Sequence, residues 1–244
     1  MKPGIRFGVC LLVGVLCLTP GGAWALSVGG NSPLQTGTVL FDPDRFTEPM
    51  LPVLQMLYPG QTVGFYNRPD IDLAASQEWA LVDTLESAFD QHVRGILRSQ
   101  VWEHEDGHKL FLYQLQNLGD VGISGTKFTV HTTPALNILD AGVLGDGIDI
   151  QDMSRMAAGA LDEMFFEIAW SEPLELQQGQ QTSWIYVETD AHTHHLAYTT
   201  VRNHTASADN VPLLVPMPEP MTMSAVGLAV LGLGGYIAKR RRLA

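Results

Sequence analysis

The chain has 244 residues, with 14 Lys and Arg against 26 Asp and Glu, a formal charge of −12 at pH 7, and two cysteines. Between Leu26 and Met217 the balance is more one-sided, eight basic against 25 acidic residues or −17, which makes nucleic acid and anionic membranes poor partners. Both cysteines, Cys10 and Cys17, fall in the first 25 residues, so the rest of the chain has no disulfide, thiolate metal site or cysteine nucleophile and must be held by its core.

Residues 1–25 read as a secretory signal peptide. Lys2 and Arg6 form the charged entry, Phe7 to Leu18 the apolar stretch, and Ala23-Trp24-Ala25 the small-residue pattern that places cleavage before Leu26. From Leu26 to Pro69 the chain is rich in Gly, Pro and Asn, with alternating runs at Thr38–Phe41 and Thr62–Tyr66 that predict short strands. Met50 to Tyr58 is apolar and interrupted by Pro52, and its pattern assigns no element. Trp79, Val82, Leu85, Phe89, Val93 and Ile96 recur at gaps of three and four, which predicts one amphipathic helix from about Ala74.

Gly95–His104 and His108–Asn117 alternate in polarity and are joined by Asp106-Gly107, a dipeptide suited to a two-residue type I′ turn. The hairpin so formed sets Trp102 opposite Phe111, Val101 opposite Leu112, Gln100 opposite Tyr113, His104 opposite Lys109 and Glu105 opposite His108. The same stretch spells H-E-x-x-H, His104-Glu105-Asp106-Gly107-His108, which binds zinc only when both histidines share one face of a helix. In this hairpin they are expected on opposite faces, which excludes a zinc protease.

Beyond Asn117 the pattern predicts a strand at Thr126–Thr132 and a loop at Asn137–Asp152. Asp146, Asp149 and Asp152 do not fit the spacing of a Ca²⁺ loop and read as a solvated acidic turn. Met153, Met156, Ala160, Leu161 and Met164 allow a short helix, and strands follow at Phe165–Trp170, Gln181–Thr189 and Leu196–Val201. In Asp190-Ala191-His192-Thr193-His194-His195, a continued strand would put Asp190, His192 and His194 on one face. They are weak metal candidates without an identifiable further ligand, and polar edge residues are the plainer interpretation. No Gly-rich phosphate cradle or G-x-S-x-G elbow occurs, and the acidic pairs Glu103 with Glu105 and Asp162 with Glu163 name no glycosidase, whose carboxylates are recognised by separation in space. No metal site, catalytic residue or cofactor is therefore assigned.

The tail is more informative. Residues 202–215 read as a polar linker, followed by Val215-Pro216-Met217-Pro218-Glu219-Pro220, whose prolines oppose helix and favour an extended backbone. Met221 to Ala238 is 18 uncharged residues, about 27 Å as a helix, long enough to cross a bilayer. Lys239-Arg240-Arg241-Arg242 follows at once and would stay on the cytoplasmic side. Proline-flanked glutamate, glycine-containing span and basic terminus, in that order over residues 216–244, resemble the PEP-CTERM sorting signal of bacterial exported proteins. This tail type also carries the label ice-binding protein C-terminal domain, a name that implies no ice chemistry here.

The resemblance implies that Pro218, Glu219 and Pro220 are read by an exosortase-type membrane processing enzyme. It implies that the chain is held in the inner membrane through 221–238 before processing, and that the body ends at the cell surface or in the extracellular matrix. Residues 95–201 are also similar, more loosely, to the β-sandwich bodies common among PEP-CTERM proteins. The expected architecture is a signal peptide (1–25), a mainly β domain at 26–201 built as one antiparallel β-sandwich with one or two helices, a linker (202–215) and the sorting signal with its transmembrane helix. The expected function is that of a non-catalytic surface or biofilm-associated matrix protein, with extracellular polysaccharide or matrix proteins as partners. The alternative is a secreted carbohydrate-binding or metal-dependent hydrolytic domain using the 190–195 cluster.

Overall fold

The computed structural model describes residues 34–120, 127–132, 136–158, 161–167, 176–202 and 206–217. The expected signal peptide with Ala23 and Ala25, the tripeptide Pro218-Glu219-Pro220, the expected span 221–238 and the basic cluster Lys239-Arg240-Arg241-Arg242 lie outside the described residues. Among the described residues no helix is long and apolar enough to cross a membrane.

The protein is mainly β. In chain order its strands are β1 (Thr38–Phe41), β2 (Thr62–Phe65), β3 (Trp79–Asp90), β4 (Arg94–His104), β5 (Lys109–Asn117), β6 (Lys127–Thr132), β7 (Ile138–Leu144), β8 (Asp152–Ala158), β9 (Leu161–Glu167), β10 (Trp184–Thr189), β11 (Thr193–Arg202) and β12 (Ser207–Met217). One sheet has seven strands in the order β12-β11-β6-β9-β8-β1-β2, and the other five in the order β3-β4-β5-β10-β7. The strands pair antiparallel except for β1 with β2, which are parallel. A parallel pair needs a crossover, and here it contains α1 (Leu51–Leu57). Pro52 sits in the first turn of this helix, where its missing N–H has no intrahelical partner to lose.

The main core draws on both sheets. Leu97, Val101, Phe111, Tyr113, Val143, Ile185 and Val187 of the five-stranded sheet cluster with Leu40, Phe128, Val130, Met153, Met164, Phe166, Val201 and Leu213 of the other. The Tyr113, Phe128 and Phe166 rings meet at centroid distances of 5.0–5.9 Å. The Tyr113 hydroxyl donates to the Leu214 carbonyl at 3.0 Å, which satisfies the polar end of a fully buried ring. Burial raises that phenol well above its ordinary pKa.

Four expectations are overturned. The helix expected from Ala74 is instead the β3–β4 hairpin. An extra residue in β3, between Leu81 and Asp83, shifts the register, and such a bulge turns a period of two into a gap of three. From Asp83 onward burial alternates as a strand requires. The second expected helix, Met153 to Met164, is the β8–β9 hairpin. Asp152 to Arg155 are all buried, and a strand covered on both faces loses the alternation that marks it. For the same reason β7, buried at six of its seven positions, lies where the sequence reading expected a loop.

The fourth correction concerns the linker. Residues 207–217 form β12, paired with β11 from Thr193↔Met217 to Arg202↔Ser207, with Val211, Leu213, Leu214 and Val215 buried. The domain therefore runs through Met217 rather than ending at 201. Pro212 and Pro216 are tolerated because even-numbered amides of this edge strand point away from β11, as the Leu214 N–H shows by donating to Ser99 Oγ at 3.1 Å.

Candidate functional site at the histidine corner

The β4–β5 turn is built differently from its sequence expectation. The ladder pairs Trp102 with Leu110, Val101 with Phe111, Gln100 with Leu112 and Glu103 with Lys109, one residue away from the predicted register. The His104 N–H donates to the His108 carbonyl and the Gly107 N–H to the His104 carbonyl, both at 2.9 Å. The loop is thus three residues, Glu105 to Gly107, with Gly107 at φ +93°, a conformation that favours glycine.

Side-chain burial selects this register. Val101 and Phe111 both belong to the main core, whereas Trp102, Leu110 and Leu112 belong to a second cluster with Leu73, Trp79, Leu144 and Tyr186. Residues directly opposite each other share a face, so only the observed register sends each group to its own side. Lys109 is buried with its Nζ 2.7 Å from Glu103 Oε2, a pair that the predicted register would have separated.

A slip of one residue reverses every face, and it overturns the expectation that His104 and His108 point apart. They stand across from one another and share one acceptor: Asp106 Oδ1 lies 2.8 Å from His104 Nδ1 and 3.5 Å from His108 Nδ1, and accepts the His108 N–H at 3.2 Å. Burial works to raise the Asp106 carboxyl, but the hydrogen bonds from His104 and the His108 amide outweigh it and hold the pKa below its ordinary value. The His104 ring also packs on Trp79 at a centroid distance of 4.9 Å. Exclusion of a zinc-protease helix still stands, because the motif straddles a turn between strands.

The second histidine cluster arrives at the same corner. The chain leaves β10 at Thr189 in one sheet and enters β11 at Thr193 in the other, so the strand that would have aligned Asp190, His192 and His194 is broken. Asp190 turns to Asn137, accepting its N–H at 3.0 Å and its Nδ2 at 2.5 Å. His192 packs against Gly107, where a Cβ would stand 3.0 Å from its Nδ1. His194 Nε2 lies 3.0 Å from Asp83 Oδ2 on β3. The hydrogen bond from His194, then that from the Thr84 amide, holds the Asp83 carboxyl below its ordinary range. Burial, and then the neighbouring His194, lowers the His195 pKa.

The corner thus gathers His104, His108 and His192 around one loop and sends Asp190 and His194 elsewhere. Among the described residues no group of three or more His, Cys, Asp or Glu side chains is arranged to hold a metal ion. What the arrangement does is clamp: His194–Asp83 ties β11 to β3, and His192 on Gly107 ties the β10–β11 connection to the β4–β5 turn. No family model matches the chain, and neither does any curated protein or solved structure.

Several polar groupings had no sequence signature. Asp140 is buried and accepts hydrogen bonds from Tyr186 Oη at 2.8 Å, Asn67 Nδ2 at 2.5 Å and the Ala141 N–H at 2.8 Å. Burial outweighs these and raises its carboxyl pKa. Arg68 bridges Asp44 and Asp149 and approaches Asp42 at 3.6 Å, while Asp149 also accepts from Ser183 Oγ at 2.7 Å. Burial raises Asp42, against the pull of the Asp44 amide and Arg45. Asp149 is therefore engaged by a guanidinium, and Asp152 is buried in β8. The 146–152 aspartates do not act as one solvated turn. At the far end of the β3–β4 hairpin, a polar cleft of about 580 Å³ is lined by Asp90, His92, Arg94, Asp120 and Gln178 among others.

Proposed function

We propose that this protein is an exported, non-catalytic component of the cell surface or extracellular polysaccharide matrix, delivered through a PEP-CTERM sorting signal and carrying a two-sheet, sandwich-like body. The observation that carries this reading is the order of features in the last residues: Pro218-Glu219-Pro220, an uncharged glycine-containing stretch at 221–238, then Lys239-Arg240-Arg241-Arg242. A proline-stiffened acidic tripeptide ahead of an 18-residue apolar stretch offers a membrane enzyme an extended peptide at the lipid boundary. The N-terminal signal supports export. The −17 balance of the body and its freedom from cysteine support a soluble role outside the cell, beside neutral glycans or other proteins.

The alternative of a metal-dependent hydrolytic or sugar-binding domain built on residues 190–195 gains no support from the geometry, because Asp190, His192 and His194 reach three separate partners. The test is intact mass analysis of the protein recovered from its host, with and without the exosortase-type enzyme. The expected result is a C-terminus lacking 221–244 in the first case and retaining it in the second, with Glu219→Gln restoring the long form. An identical mass in both hosts would remove the basis of the reading.

A further inference from the structure

Strand register divides the five-stranded sheet into two faces. Val101, Phe111 and Ile185 enter the main core, so their neighbours along each strand point outward. All three tryptophans among the described residues, Trp79, Trp102 and Trp184, are on that outward face, where they pack with Leu110, Leu112 and Tyr186. Ile71 and Leu73, from the segment between β2 and β3, join this cluster. Trp79 is buried there, whereas Trp102 and Trp184 are half-buried and each keeps part of its indole open to solvent. Leu81, 49% exposed, stands directly across from Trp102 and extends the apolar surface onto β3.

Fixed polar groups lie between the two open indoles. Glu86, Arg98 and Gln114 stand directly across from one another on β3, β4 and β5, and continuing the β5–β10 register places Trp184 next in that row. Arg98 Nε donates to Glu86 Oε2 at 2.8 Å and Arg98 Nη2 to Gln116 Oε1 at 3.0 Å. Trp102 Nε1 donates to Gln100 Oε1 at 3.0 Å. The side-chain oxygens of Gln100 and Gln116 are thereby engaged, and their amide nitrogens remain as donors with no partner among the described residues. Amides held in this way are oriented before any ligand arrives, which lowers the entropic cost of using them. With two strand spacings across and four residues along, the Cα atoms of Trp102 and Trp184 are about 17 Å apart.

We propose that this outward face binds a neutral polysaccharide, laid as an extended chain from Trp102 to Trp184 across Gln100, Arg98 and Gln116. This rests on the reading of the protein as a component of a polysaccharide matrix, and names the surface through which it would be held there. The apolar C–H faces of pyranose rings stack on the open indoles, and sugar hydroxyls accept from the two glutamine amides. Charge selects the class of glycan. Arg98 is already paired with Glu86 and the body carries −17, so no net positive charge waits for a uronate or a sulfate. An open row of this length suits a polymer, whereas a single sugar would need a concave pocket around it.

The experiment is isothermal titration calorimetry of the chain recovered from its host, with hydroxyethylcellulose and galactomannan as neutral probes and alginate as the anionic one. The expected result is binding to at least one neutral probe and none to alginate. Trp102→Ala, and separately the double variant Gln100→Ala with Gln116→Ala, each weaken that binding at least about tenfold. Tyr198→Ala, at a side chain 57% exposed on β11 of the other sheet, leaves it unchanged. Circular dichroism and the unfolding midpoint establish that each variant is folded; where Trp102→Ala is not, the glutamine double variant, which removes no core side chain, carries the test. Binding to neither neutral probe, equal binding to alginate, or neutral binding undiminished in the folded variants would overturn the proposal. Its failure is distinct from failure of the sorting reading. A chain that loses 221–244 as expected but binds no neutral probe defeats the sugar-binding face alone, whereas one that binds through Trp102 yet has the same mass in both hosts defeats the sorting reading alone.

Discussion

Arg155 and Asp162 face each other inside the β8–β9 hairpin, and removing either should cost more than removing both. Arg155 Nε lies 3.0 Å from Asp162 Oδ2, with side chains 3% and 1% exposed. Arg155 Nη2 donates to the Leu136 carbonyl at 2.9 Å, and Thr36 Oγ1 donates to Asp162 Oδ2 at 2.5 Å. Arg155→Met keeps the apolar volume but leaves a buried carboxylate whose cation is gone, and Asp162→Leu leaves a buried guanidinium without its anion. Breaking a buried pair from one side costs about 3–5 kcal/mol. With both charges removed, the remaining cost is that of the carbonyls and hydroxyl left behind, about 1–3 kcal/mol, far below the sum of the singles. In urea, with a slope of about 2 kcal/mol per molar, each single variant lowers the unfolding midpoint by about 1.5–2.5 M and the double by less than about 1.5 M. Equilibrium unfolding followed by tryptophan fluorescence and far-UV circular dichroism reads all three. A double variant whose loss equals the sum of the singles would refute the reasoning, since it would mean that the two groups do not depend on each other.

Gly142 lies under the backbone of Asn67, where a Cβ would stand 1.9 Å from the Asn67 carbonyl oxygen. Gly142→Ala should therefore expel Asn67 from β7, losing the Asn67 N–H to Ala141 O and Val143 N–H to Asn67 O bonds of 3.1 and 3.0 Å. The cost is about 2–4 kcal/mol, checked by denaturation and by faster amide exchange at Asn67 and Val143. Gly107→Ala meets both a φ of +93° and the His192 ring. It should destabilise by about 1–2 kcal/mol and shift the His192 imidazole resonances; unmoved resonances would contradict the packing of His192 on the turn. Asp83 has a folded pKa lowered by His194 and the Thr84 amide, so its contribution is complete above the unfolded value of about 4 and fades as pH falls through the folded one. Asp83→Asn should flatten the stability profile on the acid side of about pH 4, as read from denaturation midpoints across pH.

Much of the strand layout was legible because turn chemistry and alternation are local. Asp106-Gly107 marked the β4–β5 hairpin, and Thr38–Phe41, Thr62–Tyr66 and Leu196–Val201 alternated enough to reveal β1, β2 and most of β11. Register was not legible. Asp-Gly serves both a two-residue and a three-residue loop, and the choice was made by which side of the sheet Phe111 and Trp102 could each bury. Strands β3, β7 and β8 were missed for the opposite reason, since a bulge or burial on both faces erased the period that identifies a strand. β12 was hidden by its prolines and polar start, and only its place at a sheet edge makes them acceptable.

By itself the amino-acid order determined the charge of the body, its freedom from cysteine, its β-rich character and the features of the two ends on which the proposed sorting rests, because each is a property of composition or of a short contiguous run. Tertiary structure alone decided that two histidine clusters 84 residues apart meet at one corner, that Asp83, Asp140 and Arg155 find their buried or paired positions, and that the domain reaches Met217. Those outcomes depend on which strands lie side by side, and pairing between distant segments is selected by the shared core, which no local stretch of sequence contains.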